Sequence, residues 1–408
     1  MDAPFSRTTT FTSSRSDMAS TINVAMIGAR FMGKAHSNAY LQVGKFFDPA
    51  VRPVMKAVCS RDLAGTQAFA EQFGWERAET DWQDVVAADD IGLVDVCTPG
   101  DTHALISIAA AKAGKHVFCE KPLANSLADA LKMLAAVREA GVRHMVNFNY
   151  RRCPAVSLAR QMVEAGEIGE VRQWRATYLQ DWLVDPESPY SWRMDKSIAG
   201  SGAHGDLNAH AIDLARFITG DEITQVVGDM KTFVEERPYP DGSGSGVGAS
   251  GAAGAKGKGK VTVDDASIFL ARFAGGAIGT FEATRMAPGR KNFNRFEVSG
   301  SRGSLVWNFE DMNVLEYYST DDPTARQGFR RIMATESDHP YVGAWWPPGH
   351  LLGYEHSFVH GVYDLLQAIA SGDDVAPDFR DGAQCVAVLE AVEASVAAGS
   401  WQNVAAVE

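Results

Sequence analysis

The apolar strand Ile22–Ile27 runs straight into Gly28-Ala29-Arg30-Phe31-Met32-Gly33 and then into a helix-like stretch, Lys34–Val43. Strand, glycine turn and helix in that order commit the chain to a βαβ layout. A parallel sheet covered by helices is the way such units bury both strand faces. The pattern repeats. Apolar runs at Pro53–Cys59, Leu93–Cys97 and His116–Cys119 alternate with amphipathic stretches at Asp62–Phe73, Thr102–Ala113 and Ser126–Ala140, the last closed by Gly141 as a helix C-cap. The block ends near Val146 and predicts an α/β dinucleotide-binding Rossmann domain over residues 21–147.

With 408 residues the chain is longer than one hydrophobic core usually grows, so a second domain is expected over 148–408. Its pattern differs. After one helix, Pro154–Ala165, come longer strand-like runs: Val171–Trp182, Glu222–Val234, Val261–Phe273, Ala277–Arg285, Phe293–Ser299 and Ser304–Asn308. Short turns between them predict an α+β unit with a large open, mainly antiparallel sheet. Two helices, Tyr354–Ala370 and Asp381–Ala398, close the chain. Residues 241–260 are almost wholly Gly, Ser, Ala and Lys and read as a flexible loop, and the Ser/Thr-rich residues 1–20 as a disordered tail.

A net charge of −13 argues against a phosphate-backbone partner, so no nucleic acid is expected and a small-molecule substrate is. No apolar run approaches the roughly 20 residues of a membrane helix. The N-terminus lacks the apolar core of a secretory signal. The five cysteines (Cys59, Cys97, Cys119, Cys153 and Cys385) are scattered without C-x-x-C spacing, which indicates neither a zinc site nor a disulfide framework. A cytoplasmic protein is expected.

The turn Gly28–Gly33 has the context of a nucleotide fingerprint, with Arg30, Phe31 and Met32 between the two glycines and the helix amides beyond. Its middle glycine is replaced by Arg30, whose guanidinium is itself suited to a phosphate. At the end of the second strand stand Ser60 and Arg61, which favour a 2′-phosphate, followed by Asp62, which reads as the cap of the next helix. The cofactor is therefore NAD or NADP, with a lean to NADP.

Glu120-Lys121-Pro122 follows a strand of the parallel sheet, at the edge where open α/β folds bind ligands. Asp206 and His210 are four apart and share a helix face. A lysine to steady an alkoxide, a histidine to take a proton and a carboxylate to orient the ring make an alcohol-oxidising set. The bland readings are a surface ion pair and a helix-face Asp–His pair. His204, Asp206 and His210 have spacing that a metal tolerates, but no further ligand is recruited and no metal is expected.

Taken together, the Gly-x-x-x-x-Gly turn, Thr98-Pro99 with His103, Glu120-Lys121-Pro122, and Gly202 through Asp206 to His210-x-x-Asp213 resemble the glucose–fructose oxidoreductase/inositol dehydrogenase/rhizopine-catabolism (Gfo/Idh/MocA) family. The resemblance implies a Rossmann domain followed by a domain whose open sheet often mediates homo-oligomers, dimers or tetramers. It also implies catalytic roles for Lys121, Asp206 and His210, and cofactor contacts from Thr98, Pro99, His103, Glu120, Lys121, Trp192 and Arg193. A finer likeness, to the levoglucosan dehydrogenases within that family, rests on Asn149–Arg152, Tyr178–Trp182, Ser191-Trp192-Arg193 and Lys196–Gly202. Such enzymes oxidise the C3 hydroxyl of a neutral anhydrosugar. Independently, Tyr178, Gln180 and Trp182 share a strand face at period two, giving aromatic surface and an amide for a sugar; the bland alternative is an amphipathic core strand. Asn149 and Arg151 complete the expected substrate contacts. Inositol or C1-sugar oxidation, and an NAD-dependent glycosidase or lyase working through transient C3 oxidation, are the competing readings.

Overall fold

The computed structural model describes residues 20–240 and 257–408. The expected tail thus lies outside the described residues except for Ser20, as does most of the expected loop. Residues 258–260 at that loop's end are a short strand.

The N-terminal half carries β1 (Ser20–Ile27), α1 (Phe31–Phe46), β2 (Val51–Cys59), α2 (Leu63–Phe73), β3 (Arg77–Glu79), α3 (Trp82–Ala87), β4 (Leu93–Val96), α4 (His103–Lys112), β5 (His116–Cys119), α5 (Leu127–Ala140) and β6 (His144–Val146). The six strands are parallel in the order β3-β2-β1-β4-β5-β6, so the chain reverses direction across the sheet between β1 and β4. That reversal opens a crevice at the strands' carboxyl ends, the ligand site of open α/β sheets. Val24, Val94, Val96 and Val117 are wholly buried between the helical layers. Expected helices mostly begin and end as the caps dictate: Asp62 accepts from Gly65 N, Ser126 accepts from Asp129 N, and Gly141 closes α5 in the left-handed region. The expected helix Lys34–Val43 is longer at both ends.

The second half runs α6 (Pro154–Glu164), β7 (Val171–Leu179), α7 (Lys196–Ala199), α8 (Ala209–Thr219), β8 (Ile223–Lys231), β9 (Glu236–Pro238), β10 (Lys258–Lys260), β11 (Ala266–Phe273), β12 (Ile278–Thr284), β13 (Phe293–Gly300), β14 (Gly303–Asn308), β15 (Val314–Ser319), β16 (Arg330–Met333), α9 (Tyr354–Ser371), α10 (Phe379–Ala398) and β17 (Gln402–Asn403). Nine of these strands form one sheet, in the order β16-β15-β14-β13-β7-β12-β11-β8-β17. It is mainly antiparallel, and among the described residues β7–β12 is its only parallel pair. Strand β11 shows the period-two logic: Ser267, Phe269, Ala271 and Phe273 point inward while Ile268 and Leu270 stay exposed. Behind the inner face lie α8 and α10, and α9 returns to pack on α1.

Two of the expected strands are cut short at one end. The run to Trp182 stops at Leu179, after which Gln180 N still reaches Thr284 O. Residues Val261–Asp265 bend instead of extending β11, because the Asp264 carboxylate turns to accept from Gly202 N and His204 N. Among the described residues no helix is long and apolar enough to cross a membrane. All five cysteines are buried free thiols.

Candidate active site

Backbone crowding dictates the glycine turn. Gly28 sits at φ 118°, and a Cβ there would lie 2.5 Å from Cys97 O, where β1 and β4 part. At Gly33 a Cβ would fall 2.3 Å from Gly28 O, so the start of α1 can close on the strand only without a side chain. No side chain caps α1: Arg30 occupies the cap position and is exposed, leaving the amides that lead into Phe31 and Met32 open to an anion. These residues fit the pyrophosphate of a dinucleotide. At the end of β2, Ser60 is tied to Thr66 at 2.5 Å and Asp62 caps α2 through one carboxylate oxygen. Arg61 is exposed and makes no ion pair among the described residues.

His103 differs from its expected place against the cofactor. It is almost wholly buried, with Nε2 2.8 Å from Thr98 O and Nδ1 3.0 Å from Pro122 O. It ties the turn after β4 to the turn after β5 instead of presenting a free nitrogen. Glu120 is likewise buried: its Oε1 accepts from Asn147 Nδ2 and lies 2.8 Å from His36 Nε2, while His36 Nδ1 lies 2.8 Å from Asp95 Oδ2. His36, Asp95 and Asn147 are residues that the motif reading missed. Their partners lie 27–111 positions away, and only the sheet brings them together.

The next residue, Lys121, leaves that buried network and reaches into the cleft. Its Nζ donates to Asp206 Oδ1 at 2.7 Å and to Asp206 O at 2.9 Å. Asp206 stands in a one-turn π-helix, His204–Asn208, that precedes α8, so the single regular helix expected through Asp206 and His210 is interrupted. The wider turn aims Asp206 away from His210. Asp206 Oδ2 instead accepts from Arg285 Nη2 at 2.7 Å, so the expected Asp206–His210 pairing is absent. Burial opposes ionisation of Asp206, but Lys121, Arg285 and Arg193 outweigh it and hold the carboxyl well below the usual carboxylate range.

His210 is nearly buried and makes no hydrogen bond among the described residues. Burial, and then the Lys121 charge, push its imidazole well below 6.5, with Asp206 opposing them. At neutral pH the ring is therefore an unprotonated base beside a fixed ammonium. Tyr150 and Tyr178 flank it, with ring centroids 4.6 and 5.9 Å away.

Tyr178, Gln180 and Trp182 do come together, joined by Asn292. Trp182 Nε1 donates to Gln180 Oε1, Gln180 Nε2 donates to Asn292 Oδ1, and the Tyr178 hydroxyl donates to the same oxygen, each at 2.8 Å. Gln180 thus holds Trp182 through its oxygen and Asn292 through one N–H, with its second N–H unspent among the described residues. Arg285 lies over the Trp182 ring, 5.3 Å from its centroid. Trp192 carries Arg193 at 4.5 Å, and the Arg193 charge acts on Asp206.

Two residues expected to contact substrate are bonded within the fold. Arg151 is buried with Nε and Nη2 donating to Asp213 at 2.6–3.0 Å, a paired arrangement that leaves the guanidinium no reach into the cleft. Asn149 is buried and donates to Ser357 Oγ at 2.9 Å. His204 is fully buried, with Nε2 3.1 Å from Leu389 O and Nδ1 3.0 Å from Ser267 Oγ, so it shares no ligand set with Asp206 and His210.

Known proteins resemble the chain over most of its length. Residues 22–148 match the oxidoreductase family with NAD-binding Rossmann fold, and residues 156–306 match the GFO/IDH/MocA C-terminal domain. The levoglucosan dehydrogenase of Pseudarthrobacter phenanthrenivorans is 43% identical over 94% of this chain and 98% of its own. A solved levoglucosan dehydrogenase in complex with NADH and levoglucosan superposes with TM-score 0.88 at 42% identity, covering 94% of this chain and 99% of that one. An oxidoreductase domain protein from Kribbella flavida is 53% identical, with TM-score 0.89 over 95% of this chain and all of its own.

Proposed function

The chain belongs to the Gfo/Idh/MocA family of NAD-binding oxidoreductases, and within it we propose an NAD(P)-dependent dehydrogenase that oxidises a ring hydroxyl, at C3, of a compact neutral pyranose, anhydrosugar or glycoside to the ketone. Levoglucosan, the ligand of a solved relative, is the leading substrate. The observation that carries this reading is His210 within reach of the Lys121 charge and flanked by Tyr150 and Tyr178, with the Gln180–Trp182 pair joined to Tyr178 through Asn292.

The glycine turn Gly28–Gly33 and the uncapped start of α1 would hold the dinucleotide, whose nicotinamide supplies the hydride acceptor. His210 takes the proton of the substrate hydroxyl, and its depressed pKa keeps it ready to do so at neutral pH. Lys121 donates to the same oxygen as negative charge develops on it, and Asp206 holds the ammonium in place from two sides, by side chain and by carbonyl. Trp182, braced by Gln180 and Arg285, offers an indole to the apolar face of the ring. Residues 21–147 serve as the cofactor unit and 148–408 as the substrate unit. With Asp62 used as a cap, Arg61 is the residue placed to favour NADP, and we assign use of either cofactor.

Exposed Ile268, Leu270 and Ile278 on the outer face of the large sheet support a homo-oligomer through that face. Cytoplasmic residence agrees with five reduced thiols.

A sugar panel with NAD and with NADP, read as NAD(P)H formation, tests the activity. Levoglucosan deuterated only at C3 tests the position: the label should appear in the reduced cofactor. Label retained in a ketone product would move the reaction to another carbon.

A further inference from the structure

Donor and acceptor roles along the cleft wall are forced, because the chain of hydrogen bonds begins at a group that can only donate. The indole Nε1 of Trp182 meets Gln180 Oε1, which fixes the orientation of that amide. Gln180 Nε2 then donates to Asn292 Oδ1, which must be the carbonyl end of the second amide. Since that oxygen only accepts, the Tyr178 hydroxyl donates to it and in turn accepts from Tyr150, 2.8 Å away. Burial pushes both phenols up, so both keep the protons that this order needs.

One polar group is left over. Asn292 Nδ2 carries two N–H bonds with no partner among the described residues, on a side chain that is only half-buried. The residue is held firmly all the same: its backbone N donates to Glu310 Oε1 at 3.1 Å, and its Oδ1 is gripped twice. Tyr178, one bond away, stands with its ring 5.9 Å from that of His210. A pre-positioned donor with both hydrogens unspent, one hydrogen bond from a tyrosine that flanks the base, suits an oxygen that accepts.

We propose that Asn292 is a specificity-determining residue that donates from its amide nitrogen to a sugar oxygen other than the one being oxidised. This rests on the sugar-oxidising reading above. Because the amide oxygen is occupied, Asn292 reads the partner as an acceptor only. Ring oxygens, anhydro bridges and hydroxyl oxygens qualify; a C–H at that position leaves the amide unpaired, which is how a polar site rejects a deoxy analogue.

Asn292→Asp separates this role from a structural one, since the carboxylate still accepts from Tyr178 and Gln180 but cannot donate. The expected result with levoglucosan is a rise in KM of about 3–10-fold, the loss of one hydrogen bond, with a smaller fall in kcat and unchanged KM for the cofactor. Asn292→Ala, which removes the acceptor too, should raise KM at least as far and also lower Tm. Among monodeoxy and ether analogues of the sugar, the one lacking the oxygen in question should be used equally by wild type and Asn292→Asp. An Asn292→Asp enzyme with wild-type KM across that series, beside an Asn292→Ala enzyme that only loses Tm, would overturn the proposal. A wild-type enzyme that oxidises no sugar sinks the parent reading instead, and shows it before any variant is made.

Discussion

Arg285 Nη2 donates to Asp206 Oδ2 at 2.7 Å, occupying the carboxylate oxygen that helical spacing would turn toward His210. Asp206 therefore bridges two cations and serves the lysine, not the histidine. Arg285 is buried, and its Nε has no partner among the described residues, so its position is sustained by this one bond and by the Trp182 face. Arg285→Leu should release Asp206 to swing and let Lys121 Nζ wander, lowering kcat/KM by on the order of 10-fold or more. Because the same change removes a brace from Trp182, KM should rise as well. Steady-state kinetics with unchanged kcat and KM would reduce the contact to packing.

His210 gives a pH prediction whose sign follows from its environment. Burial and Lys121 depress its folded pKa well below the unfolded value of 6.5, so the base stays unprotonated as pH falls through 6.5. The acid limb of kcat/KM should accordingly lie well below 6.5. Lys121→Met, which removes the nearer cation, should move that limb upward. His210→Ala should lower kcat by roughly 10²–10⁴-fold with cofactor affinity retained. A wild-type limb at 6.5 would mean that the imidazole titrates as it does in water.

How much of this could be read beforehand depends on the range of the contacts. The βαβ rhythm and the caps at Asp62, Ser126 and Gly141 are local, and each appears in the structure as written in the chain. Strands β3 and β6, three residues each, are too short for period-two alternation to register. The π turn at His204–Asn208 has no sequence signature comparable to a cap, and it is this turn that redirects Asp206. Arg285 and Asn292 enter the site through the parallel β7–β12 pairing, which places Thr284 against Leu179, and through the loop beyond it. An antiparallel expectation for that sheet could not place Arg285 beside Gln180. Arg151 lies inside the expected Asn149–Arg152 motif, yet its guanidinium is engaged within the fold. Its partner Asp213 lies 62 positions on and is visible only when α8 packs against the turn after β6.

Arg61 is the residue after β2 on which the proposed lean to NADP rests. Ser60 bonds Thr66 and Asp62 caps α2, and the exposed Arg61 guanidinium beside them makes no ion pair among the described residues. Arg61→Ala should weaken NADP binding by about 1.5–3 kcal/mol, the range for a hydrogen bond to a charged group, and leave NAD nearly unchanged. Equal effects on both cofactors in titration calorimetry would remove Arg61 from the choice.

The buried chain from Asp95 through His36 to Glu120 makes a stability prediction with a definite direction. Burial disfavours the charged imidazole, yet Asp95 on one side outweighs it, with Cys97 adding to the effect, and the folded pKa of His36 is raised well above 6.5. Glu120 moves the opposite way: burial opposes its charge, but His36, Asn147 and Lys121 bring it below 4.5. A raised histidine contributes stability fully below pH 6.5 and loses it as pH climbs through the folded value. A lowered carboxylate contributes above pH 4.5 and loses it as pH falls through its own folded value. The two windows overlap from about 4.5 to 6.5, where this network should contribute most, and Tm should decline on either side. His36→Gln keeps some hydrogen bonding but leaves two carboxylates facing a neutral group, and removing one partner of a buried charged set costs roughly 3–5 kcal/mol. That variant should lose much of the decline in Tm above pH 6.5, because the titrating cation is gone. Since Glu120 directly precedes Lys121, the kcat of His36→Gln should fall as well, while Lys121→Met, which leaves His36 and Asp95 in place, should keep the decline of Tm above pH 6.5. An unchanged Tm–pH curve in His36→Gln would show that the imidazole is neutral in the fold.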